Sequence, residues 1–223
     1  MSDLALLKHQ NEQRWLVMKT DPGRALEIGG VAARLTDPKA QLRYARVENL
    51  TGVPRNVIAV IHEREASQNW HTQLGQGDPL DKVSTHVPKG RGPFATWEDG
   101  AVDALKNCPP YAAKWHEWDD GGTMTLLEQY NGLGYFIRGK PSPYIWAGSD
   151  QYVSGKYVAD GVFCETCIDH QLGCAVLLRR MQELQTAQKP QAQAVNQNSS
   201  AVPAPAQPNW LASLINRIIG QVT

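Results

Sequence analysis

Apolar residues recur along most of this chain at helical spacing. Between residues 3 and 19, Leu4, Leu7, Trp15 and Met18 stand among polar residues in a moderate helical pattern, which "TDPGR" at 20–24 interrupts. Asp37 followed by Pro38 reads as an N-cap with proline at the first helical position. The helix it predicts carries Leu42, Ala45, Val47 and Leu50 and stops at Gly52. Pro54 opens the next helix, over 54–67. There the unbroken run Val57, Ile58, Ala59, Val60, Ile61 passes directly into His62, Glu63, Arg64 and Glu65. Glycine and proline crowd residues 70–96, which predicts a loop with a small β-hairpin excursion. Thr96, with Asp99 three residues on, signals a capped helix reaching Asn107 and halted by Pro109 and Pro110. A short helix over 111–118 and another over 123–132 follow, then a turn-rich aromatic stretch. "CIDHQLGCAVLLRRMQELQ" at 167–185 predicts an amphipathic helix. The expected class is mainly α.

Composition changes sharply after Gln185. From Thr186 to Pro208, Gln, Ala, Pro, Asn and Ser dominate, which predicts a disordered linker that cannot bury enough surface to offset chain entropy. Beyond it, Leu211, Leu214, Ile215, Ile218 and Val222 return to helical spacing, with Trp210 in front and Arg217 the only charge. This predicts a short amphipathic helix over 209–223. It either lies in a membrane interface or docks on a partner, or it folds back onto the domain. The chain is then organised as an N-terminal helical extension (1–40), a main domain (41–185), the linker (186–208) and the terminal helix (209–223). The N-terminus has neither a basic start nor a small-residue cleavage site, so no secretory signal is expected. No apolar run is long enough for a conventional membrane-crossing helix.

Twenty-two basic and twenty-two acidic residues cancel. A nucleic-acid partner is therefore not expected, since that needs a clustered positive face. The seven tryptophans suit either core packing or a carbohydrate groove. Four cysteines are too few for a disulfide-stapled mini-protein. Cys164, Cys167 and Cys174, with His170, either meet at one zinc or remain idle or buried thiols.

Helix geometry separates the two glutamates. Residues two apart diverge by about 200° around the axis. With Ile58 and Ile61 toward the core, Glu65 continues their stripe and Glu63 points into solvent. Desolvation at the core edge raises a carboxyl's pKa and leaves it able to protonate a leaving oxygen. The alternative for Glu65 is a surface partner for Arg64. Downstream, Asp78 and Thr85 offer a carboxylate and a hydroxyl that hold or activate a water in glycoside hydrolysis. The alternative for Asp78 is an Asp-Pro turn. Tyr135, Tyr144, Trp146, Tyr152 and Tyr157 either line a groove or pack the turn-rich segment, with Trp146 the foremost groove candidate.

The block from Thr51 to Lys106, "TGVPRNVIAVIHEREASQNWHTQLGQGDPLDKVSTHVPKGRGPFATWEDGAVDALK", resembles phage and bacterial lysozyme-family peptidoglycan hydrolases of the lysozyme-like superfamily. "LEQYNGLGY", "SPYIWAG", "YVSGKYVADG" and "GCAVLLRRM" extend the similarity over residues 40–182, in order. The resemblance implies a lysozyme-like α+β domain. It also implies cleavage of the β-1,4 bond between N-acetylmuramic acid and N-acetylglucosamine. The acid before "AS" corresponds to Glu65 as general acid, and Asp78 and Thr85 fall in a groove-lining loop. "QYNGLGY" is similar to a lytic transglycosylase segment whose Tyr and Asn contact sugar, which implies that role for Tyr130 and Asn131. Glu128 is then the rival second carboxylate. No metal or cofactor is implied. The expected partner is the peptidoglycan glycan strand, the expected state a monomer, and the expected setting a phage endolysin. Such an enzyme is made in the host cytoplasm and reaches the periplasm and wall once the membrane is opened. Alternatives are a lytic transglycosylase, a chitinase-like hydrolase, or a non-catalytic wall-binding or virion protein.

Overall fold

Three of the long helices begin where a side chain offers the first backbone amides a partner. In the computed structural model, residues 3–75 and 77–199 are described. The helices are α1 (Asp3–Val17), α2 (Ala25–Leu35), α3 (Pro38–Thr51), α4 (Arg55–Ala66), α5 (Trp97–Asn107) and α6 (Asp120–Asn131). Two single turns follow, α7 (Gly134–Ile137) and α8 (Pro143–Trp146), and then α9 (Cys174–Ser199). Asp37 accepts from the amides of Lys39 and Ala40 at the head of α3, and Gly52 closes that helix in the left-handed region. Thr96 and Asp99 form a reciprocal capping box on α5. Asp119 caps α6, which starts three residues earlier than its apolar pattern indicates. The protein is mainly helical. No helix among the described residues is long and apolar enough to cross a membrane.

α4 is the central element. Val57 through Ile61 are all buried, as expected of a helix that is apolar all round. Fully burying each such aliphatic side chain is worth about 1.5–3 kcal/mol. α3 packs on both α4 and α5, α1 on α6, and α6 on α8. Enclosure of α4 corrects the expectation for Glu63. Its carboxylate does not reach solvent; it is buried and paired with Arg34 of α2 at 3.0 Å. A helix with one solvated face would have turned Glu63 outward, but α2 covers that side.

The sheet is small and lies elsewhere than expected. β1 (Lys156–Ala159) pairs antiparallel with β2 (Val162–Cys164), in the register Lys156 to Cys164, Tyr157 to Phe163 and Ala159 to Val162. Residues 70–96 contribute only an isolated bridge, Thr72 to Pro79, among the described residues. α9 also starts later than its pattern indicates. Arg64 takes the carbonyls of Gln171 and Leu172 and the carboxylate of Asp169, which holds residues 169–172 out of a helix. Gly173 then passes against backbone: a Cβ there would stand 2.3 Å from the carbonyl oxygen of Ile145.

Cys164 and Cys167 are joined by a disulfide, and Cys108 and Cys174 are buried free thiols. Two members of the possible zinc set are thus consumed by each other, and no metal-holding cluster occurs among the described residues. The chain divides into two units, Met1–Gln185 and Thr186–Thr223. The second is described as helix as far as Ser199, within the stretch expected to be a disordered linker. The amphipathic segment 209–223 lies outside the described residues.

Candidate active site

The last turn of α4 is held by an unusual end. Ser67 and Gln68 both adopt left-handed backbone, with φ of 50° and 58°. Each such non-glycine residue costs on the order of 1–3 kcal/mol and persists only where its surroundings enforce it. Here they do. Arg34 donates to Gln68 Oε1 at 2.8 Å, and Gln68 Nε2 donates to the Tyr44 hydroxyl at 3.0 Å. That hydroxyl lies 3.1 Å from Nδ1 of His62, whose Nε2 lies 3.0 Å from the carbonyl of Asn69. Burial pulls the imidazole down to about 4, so it stays neutral and serves as a rigid link across the turn.

Glu65 projects from this fixed end. It is half-buried, and the Tyr144 hydroxyl donates to its Oε1 at 2.9 Å. Desolvation raises its pKa above the ordinary carboxylate value, against the opposing pull of Tyr144 and of the Arg64 charge. Arg64 is not its ion-pair partner: that guanidinium binds Asp169 at 3.0 Å and lies 4.8 Å from the Tyr144 ring centroid. Tyr130 lies close enough to feel the Glu65 charge, and burial pushes its phenol well above the usual range.

Arg64 and Tyr144 form one wall of a cleft of about 720 Å³. Asn131, at the end of α6, enters the same cleft. The β1–β2 hairpin also lines it, through Lys156, Tyr157 and Asp160, and the segment before α9 adds Asp169 and Gln171. Tyr135 also lines it. The sequence reading missed the hairpin wall, although Asp160-Gly161 between two β-branched or aromatic runs is a hairpin signal. Arg64, Lys156, Asp169 and Gln171 carried no such mark. Their place depends on chain segments about a hundred residues apart meeting at α4.

The other expected site residues are distributed differently. Asp78 is buried, and its carboxylate is saturated. It accepts from the backbone amides of Thr85 and His86, from the Thr85 hydroxyl at 3.2 Å, and contacts His86 Nδ1 at 2.9 Å. The His86 amide is the main cause that lowers its pKa. Thr85 does touch Asp78, but the contact satisfies the carboxylate and clips the loop. Neither residue is among those lining the cleft. Glu128 is on the far side of α6, two residues from Tyr130 and so turned about 200° from it. It faces α1, where burial raises its pKa to about 7 against the pull of Asn11 and Arg14. Trp146 is fully buried and offers no ring face to the cleft, and Tyr152 is likewise buried.

No family model, no curated protein and no solved structure matches this chain.

Proposed function

We propose that this chain cleaves the glycan strands of bacterial peptidoglycan, at the β-1,4 bond between N-acetylmuramic acid and N-acetylglucosamine, with a lysozyme-like domain and Glu65 as general acid. The observation that carries the reading is the setting of Glu65: half-buried, its ionisation disfavoured by desolvation, and hydrogen-bonded by Tyr144, which with the adjacent Arg64 lines a polar, aromatic cleft. A carboxyl whose proton is held more tightly than usual can pass it to the bridging oxygen as that bond breaks. The carboxylate left behind is stabilised by the hydrogen bond from Tyr144 and by the neighbouring Arg64 charge. Asn131, Lys156 and Gln171 supply hydrogen-bonding groups for an acylated, carboxylate-bearing sugar, and Tyr157 supplies a ring.

One observation favours a second route at the same site. A hydrolase needs a further carboxylate to hold water or the sugar cation. Asp78 is saturated and Asp169 is paired with Arg64. Among the described residues lining the cleft, Asp160 is the carboxylate without an ion pair. A lytic transglycosylase needs the acid alone. Purified sacculi digested by the parent, Glu65→Gln and Asp160→Asn separate the cases. Reducing muramic ends mean hydrolysis and anhydro-muramic ends mean transglycosylation. Loss of a general acid lowers the rate by about a hundredfold or more. If Glu65→Gln clears sacculi as fast as the parent, Glu65 is not the acid; if both are inert, a wall-binding role replaces catalysis.

Delivery to the wall by a phage lysis system, and bilayer contact by residues 209–223, belong to the same proposal. Deleting residues 208–223 without change in liposome binding removes the second element.

A further inference from the structure

The segment before α9 and the last turn of α4 clamp each other. Arg64 Nη1 donates to the carbonyls of Gln171 and Leu172, and Gln171 Nε2 donates back to the carbonyls of Glu63 and Arg64. Asp169 sits at the centre of this exchange. Its Oδ2 accepts from Arg64 Nη2 at 3.0 Å, and its Oδ1 accepts from the Gln171 amide at 3.1 Å. Its own amide donates to the Tyr152 hydroxyl at 2.9 Å. Lys156 Nζ, 3.9 Å from Oδ1, is a second cation beside the same carboxylate.

The Arg64 side chain is 6% exposed, and a charge so buried needs a counter-charge. Glu65, the next residue in the chain, is one candidate for it. Asp169 takes that place instead. The guanidinium carbon lies 4.8 Å from the centroid of the Tyr144 ring, whose hydroxyl donates to Glu65 Oε1 at 2.9 Å. The other titratable groups acting with Glu65 come from three further elements: Tyr144 of α8, Tyr130 of α6 and Cys174 of α9. Burial pushes all three up, so they stay neutral. Among the described residues, Arg64 is the one charged side chain that acts on the Glu65 carboxyl.

We propose that Asp169 is a positioning residue for Glu65: it holds the Arg64 guanidinium over the Tyr144 ring and away from the Glu65 carboxyl, so that the acid keeps its proton. The proposal rests on Glu65 being the acid of the cleft. It gives Asp169 a role exerted through Arg64 and Tyr144, and not on a substrate.

The test reads the Glu65 carboxyl itself, in the full chain carrying ¹³C at the glutamate carboxyl carbons. Glu65→Gln identifies the signal, and a pH titration gives its midpoint. Asp169→Asn keeps the shape and an oxygen for the Gln171 amide but removes the charge. The released guanidinium then favours the ionised acid, and the Glu65 ionisation constant is expected to rise about tenfold, a midpoint about one pH unit lower. Asp169→Glu restores the charge and is expected to stay within about threefold of the parent. In an Arg64→Gln background, Asp169→Asn is expected to change the constant by less than about threefold, because the group it acts through is gone. Arg64→Gln alone is expected to raise the midpoint, and this arm stands even where Asp169→Asn does not fold. A midpoint unmoved by Asp169→Asn in the folded chain overturns the proposal. So does a shift equally large without Arg64, or a midpoint that Arg64→Gln leaves unmoved or lowers. Digestion of sacculi is scored separately: a parent that leaves sacculi intact overturns the cleavage reading, while the carboxyl titration still decides the role of Asp169.

Discussion

Replacing Glu128 by glutamine tests whether its burial controls stability through ionisation. The carboxyl is 2% exposed, and its pKa is raised from 4.5 to about 7, chiefly by burial. Below pH 4.5 it is protonated in both folded and unfolded chains and contributes no pH dependence. Between 4.5 and 7 the unfolded chain releases its proton while the folded one keeps it. The folded state then binds more protons, so stability falls as pH rises. Above 7 the loss is complete, and a displacement of this size corresponds to about 3 kcal/mol. Glutamine keeps the shape and the hydrogen-bonding capacity without the titration. Urea denaturation of parent and Glu128→Gln at pH 4 and pH 8 gives two stability differences, and subtracting them cancels the pH-independent effects of the substitution. The variant is expected to gain about 3 kcal/mol on the parent between the two pH values. In thermal scans this is roughly 6–12 °C for a chain of this size. A difference that stays flat from pH 4 to pH 8, or moves in the parent's favour, refutes the reasoning.

Tyr144→Phe removes the donor that favours ionised Glu65, so the alkaline limb of the pH–rate profile on sacculi is expected to move up by roughly one pH unit. Asp78→Ala frees the amides of Thr85 and His86, and their hydrogen exchange at pH 7 is expected to quicken about tenfold or more. Because the Asp78 pKa is lowered in the folded chain, the parent's own protection there is present above the ordinary carboxylate range and is lost as pH falls through the depressed value. Gly173→Ala drives a methyl group against the Ile145 carbonyl, and denaturant titration is expected to show a loss of about 1–3 kcal/mol or more.

Much local chemistry was readable where its partner lay a few residues away. Asp37, Pro38 and Gly52 bound α3, and Thr96 with Asp99 caps α5, because a cap and the amides it satisfies are neighbours in the chain. Helical spacing likewise exposed most of the long helices. α2 went unread because Gly29 and Gly30 interrupt its pattern, although Ile28, Ala32 and Leu35 are buried along it. The hairpin was assigned to residues 70–96 because glycine and proline mark turns there. A turn becomes a strand pair only when flanking segments can exchange backbone bonds, and that occurs at 156–164. α9 was read too long because apolar spacing cannot register that Arg64, a hundred residues earlier, takes the carbonyls of Gln171 and Leu172.

The sequence alone determined that the chain is mainly helical, where several helices start and stop, and that Glu65 continues the Ile61 stripe at the end of an apolar helix. Those properties rest on dihedral preferences and on contacts within a turn or two. Tertiary structure decided which polar groups meet. It buried Glu63 against Arg34, saturated Asp78, turned Glu128 toward α1, set Tyr144 against Glu65, and brought the hairpin to the cleft that Tyr144 and Arg64 line. A carboxyl's ionisation depends on the water and charge within a few ångströms of it. Those neighbours come from segments far apart in the chain, so they are defined only when the chain has packed.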